Sequence, residues 1–321
     1  GNWNKTGGTF SHNNGTVTFN SASQVTQSLN SGGTATGSVF YSVTHAGSGT
    51  LQPVTSHLAL SGALATTGSG TLDFATNDKN ITVEGNVALD RGRVDMGDGT
   101  WTVSGNFDWK DVTTFYDDAG EVVLNGSGAA YVPKNNTDMY RLTVATGAAI
   151  TIPADAGQYA YVADRLRVFG SLAVSTDNEY VSLRGTAVME VGSAASVTGA
   201  GTVYFEAPQA GKGLTSLGAG AAVAAEIYIS GADAAARLAA GTYAGTVQVY
   251  NGSTLTLDSG PYTFGNLTIL STLANTTTVA NNTNGPGTLR VTGNLSTLIT
   301  GTGNAVINDA AATDVDWIIE G

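Results

Sequence analysis

The sequence predicts an all-β protein, a right-handed parallel β-helix of about 15 rungs of roughly 20 residues, and three observations point there. Across 321 residues the chain holds 43 Gly but only 6 Pro, and about two fifths of it is hydrophobic, a composition neither collagen-like nor disordered. Only 12% of residues are charged, so Ser, Thr, Asn and Gly must supply most of the polar surface. Most telling is a short phrase in which two apolar residues flank a polar one and a Gly follows two places later.

That phrase reads LALSG from Leu58, ITVEG from Ile81, WTVSG from Trp101, LRVFG from Leu166, VSLRG from Val181, IYISG from Ile227 and LRVTG from Leu289. Its alternation is the period-two signature of a strand with one buried face, and the closing Gly permits a corner. The starts differ by 23, 20, 65, 15, 46 and 62 residues, and the larger gaps approach multiples of about 21, a solenoid period. With strands ~4.8 Å apart, such a stack would be a rod about 70 Å long. The Ala-rich stretch Ala232 to Ala240 lies between β-like segments and ends at Gly241, and is read as strand rather than helix.

A longer repeat overlays the phrase. The segment Gly1 to Asn20 aligns with Gly105 to Asn125, matching Trp3 with Phe107, Phe10 with Phe115 and Gly15 with Gly120, and a weaker start lies near 190–201, at GTVYFE. The chain is therefore expected to be a single solenoid domain, 1–321, grown by block duplication.

Net charge of −12 with 13 dispersed Lys and Arg predicts no nucleic-acid footprint. Cysteine is absent, which removes disulfides, thiolate chemistry and Cys-ligated metals. No apolar run approaches the ~20 residues that a membrane-spanning helix requires. The ten Asn-x-Ser/Thr sequons are what an Asn-, Ser- and Thr-rich chain generates by composition.

The phrases GTVTFN at Gly15, FGNLTI at Phe264 and VTGNL at Val291, with the GNW and GNF starts, resemble large secreted or cell-surface bacterial repeat proteins, in the style of filamentous-haemagglutinin-like adhesins and autotransporter passengers. The resemblance implies a right-handed parallel β-helix outside the cell, used as a stalk, fibre or adhesive surface, with extracellular polysaccharide or a host surface as partner. It names no ligand.

Three sets of residues are candidates for function. Asn2, Asn86, Asn106, Asn266 and Asn294 each follow a corner Gly and can form a ladder along the stack. Asp117, Asp118 and Glu121 are the densest carboxylates and the candidates for a weak calcium site; no other cofactor is expected. Three histidines, His12, His45 and His57, lie away from any carboxylate-rich phrase, so catalysis is not expected, and a polysaccharide-active β-helix enzyme built on Asp117, Asp118 and Glu121 is the third reading after fibre and adhesin. Finally, WIIEG from Trp317 reads into GNW as WTVSGNF does at Trp101. Two readings fit these termini equally: head-to-tail self-association, with Trp317, Ile319 and Gly321 of one subunit meeting Gly1, Asn2 and Trp3 of the next, or a segment of a longer cell-surface adhesin.

Overall fold

A computed structural model describes all residues except 155–158, 177–178, 232–233, 259, 272–274, 282–287, 300–301, 303, 309–315 and 321. The described chain is a parallel β-solenoid whose only helical element is one three-residue 3-10 turn, Ala75–Asn77. It forms two compact units, Gly1–Thr151 and Ile152–Gly321. Together they make about 12 turns, not 15.

The shortfall lies in the corners. Along one face the paired residues are Leu58, Ile81, Trp101, Val122 and Leu142, steps of 23, 20, 21 and 20 residues. Elsewhere Thr16 pairs with Ser42, a step of 26, and Leu267 with Leu295, a step of 28. Corner segments absorb the extra residues, while the strands stay short.

In the first unit each full turn lays three strands on three faces. Thr16–Phe19, Ser42–His45, Leu64–Thr66, Val87–Leu89 and Phe107–Asp108 pair in succession on one. Trp3–Asn4, Thr26–Asn30, Thr50–Pro53, Thr71–Asp73, Arg93–Asp95 and Thr114–Tyr116 form the second. The third runs from Leu58–Leu60 through Ile81–Val83, Thr100–Val103 and Glu121–Leu124 to Asp138–Val144. Alternation sorts each strand, so in Thr100–Val103 the side chains of Trp101 and Val103 are buried and those between are partly solvated.

The core of this unit is aromatic. Trp101 sits 5.0 Å from Phe74 and 6.5 Å from both Phe107 and Phe115, and Trp109 packs 4.7 Å from Phe115. Trp3 and Phe107, matched in the sequence alignment, occupy different faces: Trp3 pairs with Leu29, whereas Phe107 pairs with Val87 and Tyr131. It is Phe115 that shares the six-stranded face of Trp3.

One corner is made of glycine. The phrase GSGTL occurs at Gly47 and again at Gly68, and Gly70 donates its N–H to the Gly47 carbonyl at 3.0 Å. A Cβ on Gly70 would lie 1.9 Å from the Gly49 carbonyl oxygen, closer than any real contact. The rungs approach here too closely for a side chain.

The second unit repeats the three-faced plan. One face carries Tyr180–Arg184, Thr202–Glu206 and Glu226–Ser230, then the latter parts of Gly241–Tyr250 and Tyr262–Ser271. Ala235–Leu238, inside the Ala-rich stretch, is a strand between Lys212–Leu217 and Thr254–Leu257. No helix among the described residues is long and apolar enough to cross a membrane.

Candidate functional site

The corner asparagines act between rungs through the backbone rather than through amide-to-amide contacts. The Asn86 side-chain oxygen accepts the Asn106 N–H at 2.9 Å, and the Asn106 oxygen accepts that of Ala130 at 2.9 Å. Asn266 accepts the Asn294 N–H at 2.9 Å and donates to the Thr246 hydroxyl at 3.3 Å. Asn2 accepts the Ser28 N–H at 2.9 Å. Each satisfies a donor that a turning chain leaves without a ladder partner.

Aspartates do the same work at a second corner, which accounts for part of the acidic cluster. Asp78 accepts the Asp98 N–H at 3.2 Å, Asp98 that of Ala119 at 3.0 Å, and Asp117 that of Tyr140. Asp118 is exposed at the turn with φ 40°, and Glu121 accepts the Thr143 hydroxyl at 2.6 Å. Among the described residues no group of three or more His, Asp or Glu is arranged to hold a metal ion, so Asp117, Asp118 and Glu121 are not brought together as calcium ligands.

Asp117 carries a pH signature. Burial pushes its carboxyl up to about 6, opposed by the Tyr140 N–H and reinforced by Asp118 and Asp138. The folded state therefore holds this proton more tightly than the unfolded chain, whose value is near 3.8. The cost of ionising it is fully present above about pH 6 and vanishes below about pH 4, so stability from this group falls as pH rises through that window. Two pK units set a ceiling of about 3 kcal/mol. Asp117→Asn is expected to flatten this component, which urea midpoints at pH 4 and pH 7 for both proteins would measure.

The histidines have structural surroundings. His12 Nδ1 accepts the Asn14 N–H and His57 Nδ1 the Asn80 N–H, each at 3.0 Å. His45 is sealed in the core, where burial lowers its pKa.

At the first residues, Gly1, Asn2 and Trp3 are tied to the following turn. The Gly1 carbonyl accepts from Gln27 at 2.7 Å, and Trp3 packs 5.0 Å from Phe10 and 5.1 Å from Phe40. At the other end, Asp316–Ile319 pairs with Thr288–Val291, placing the Trp317 backbone beside Leu289 and Ile319 beside Val291. Ile318 is 42% exposed and Ile319 52% exposed, and Leu298 and Ile299 of the adjacent face are each 50% exposed. The Trp317 side chain and Gly321 lie outside the described residues.

The least anticipated feature is on the side of the second unit. Tyr159, Tyr180, Tyr204, Tyr228 and Tyr250 fall on successive rungs, all partly exposed. Their ring centroids are 3.9 Å apart between Tyr159 and Tyr180, then 5.9, 5.2 and 5.7 Å along the remaining steps. Tyr204 pairs directly with Tyr228, whereas the step to Tyr250 shifts by two residues, because Tyr228 pairs with Gln248 and Ser230 with Tyr250. The rings thus form an oblique stripe.

Polar groups flank it in matched pairs. Arg184 donates to Glu206 at 2.8 Å and lies 3.6 Å over the Tyr161 ring; the Ser182 hydroxyl donates to Glu206 at 3.1 Å. Glu226 accepts from Thr202 at 3.2 Å and from Gln248. The tyrosines are spaced 21, 24, 24 and 22 residues apart, the length of a rung, and that periodicity was the available sequence signal. Comparison with protein-family models, curated proteins and solved structures yields no match for this chain.

Proposed function

We propose that this chain is a structural segment of an extracellular fibre or surface stalk, a right-handed solenoid on which further rungs stack at the Asp316–Ile319 end. The carrying observation is the half-exposed Ile299 and Ile319, which pair with Ser271 and Val291, both fully buried on the preceding rung. Ile299 and Ile319 thus hold inward positions with no rung over them, and such apolar side chains and strand edge suit the stacking of another rung. Right-handed winding follows the rule for parallel crossovers.

In the filament reading the next rung belongs to a second copy, whose Gly1, Asn2 and Trp3 meet Trp317, Ile319 and Gly321 in a heterologous contact that does not close. Low charge and a Thr-, Asn- and Gly-rich surface suit a passive scaffold outside the cell. Sedimentation velocity over a concentration series, followed by negative-stain microscopy, tests this reading. Fibres that disappear in Ile299→Lys/Ile319→Lys support it. Particles of one size, unchanged by concentration, contradict self-stacking.

A further inference from the structure

A solenoid of this kind does not need a tyrosine stripe to fold. On the third face of the first unit, the corresponding outward positions along four rungs are Thr82, Thr102, Val123 and Thr143, each in register with the next. The second unit replaces such residues with aromatic rings on consecutive rungs, left partly open to solvent. That is a costly surface unless something covers it.

The surroundings define what could. Ser182, Thr202, Ser230, Gln248 and Thr268 share the sheet with the rings, and Leu270 lies beside Tyr250 on the next rung, so the aromatic stripe is bordered by hydrogen-bonding positions along most of its length. Arg184 offsets the charge of Glu206, and Glu226 accepts from the neutral Thr202 and Gln248, so the flanks present hydrogen-bonding groups and carry no cationic excess for a polyanion. Net charge of −12 opposes a polyanion. What remains is a ligand with an apolar face for the rings, hydroxyls for the flanks, and a linear repeat to follow the rungs.

We propose that Tyr180, Tyr204, Tyr228 and Tyr250 form a binding stripe for an uncharged, hydroxyl-rich polysaccharide lying obliquely across the rungs. The C–H face of a pyranose ring stacks on an aromatic ring, and its equatorial hydroxyls reach the carboxylates and amide beside it. Centroid steps of 5.2 to 5.9 Å set successive rings about one rung apart, and their planes turn by 85°, 60° and 36° from one to the next, so consecutive sugars of an extended chain meet ring faces and ring edges in turn. The site is independent of how rungs stack at the end of the solenoid.

Affinity electrophoresis of the whole chain in native gels containing hydroxyethyl cellulose or soluble starch, with alginate as a polyanionic comparison, tests the proposal. Retardation by at least one neutral polymer and none by alginate is expected. Tyr204→Ala/Tyr228→Ala should weaken binding about tenfold, and Tyr204→Phe/Tyr228→Phe should stay within about twofold of the parent. Tyr116→Ala, on the first unit, should bind as the parent does. Should the double alanine variant lose its far-UV circular dichroism, Tyr250→Ala alone is expected to weaken binding about threefold. Migration unaffected by both neutral polymers, retardation by alginate alone, or parental binding in the folded alanine variants would overturn the proposal.

Discussion

Replacing Trp101 with alanine is expected to destabilise the protein by about 3–5 kcal/mol, the range for truncating a large buried aromatic. Trp101 is fully buried, and its ring meets Phe74 edge-on as well as packing near Phe107 and Phe115, which belong to two other faces of the solenoid. Its removal leaves a cavity where all three faces converge, and short strands pinned by register cannot close around it. The indole N–H has no hydrogen-bond partner, so Trp101→Phe should lose only packing volume and cost about 1–2 kcal/mol. Urea unfolding followed by far-UV circular dichroism gives both numbers. An alanine variant within about 1 kcal/mol of the parent would show that this core is not packed as described.

Gly70→Ala should cost about 3 kcal/mol although it adds a single methyl group. The new Cβ would sit 1.9 Å from the Gly49 carbonyl oxygen and 2.8 Å from the Ser48 carbonyl carbon, both backbone atoms that cannot rotate away. To make room, two rungs must separate where Gly70 and Thr71 donate to Gly47 and Gly49. Gly7 supplies the comparison, since a Cβ there meets nothing within 4 Å and alanine should be tolerated. Equal thermal midpoints for Gly7→Ala and Gly70→Ala would contradict the close stacking of this corner.

These residues also show what the sequence made legible. Alternation and a closing Gly mark strands and corners reliably because they depend only on local geometry, and all seven phrases lie on strands that enter corners. They carry no face label. Leu58, Ile81 and Trp101 share a face, and Val181 and Ile227 lie on one face two rungs apart, but Leu166 follows a different column, through Met189. Spacing measured between phrases therefore mixed faces and hid the corner insertions, giving 15 rungs where about 12 form.

Side-chain roles were harder to read, because they depend on which rung lies above. Asp117 stands in sequence as a candidate calcium ligand beside Asp118 and Glu121, yet its oxygen accepts an N–H from Tyr140, 23 residues on. The pairing of Trp3 with Phe107 rested on similarity of residue type, and register sets them on different faces. The tyrosine stripe became visible only once rung length was known, since no local motif surrounds its members.

The central claim is that consecutive rungs stack in parallel and in a single register, bringing Tyr204 beside Tyr228. Because the chain has no native cysteine, paired cysteines report that register directly. Neighbouring parallel strands lie ~4.8 Å apart, within the span of about 4.4–6.8 Å that a disulfide bridges, whereas two rungs exceed it. Under mild oxidation Tyr204→Cys/Tyr228→Cys should close an intramolecular disulfide, and Ser182→Cys/Tyr228→Cys, two rungs apart, should stay reduced. Free thiols in the first variant, or equal closure in both, would contradict the register on which the solenoid and its tyrosine stripe depend.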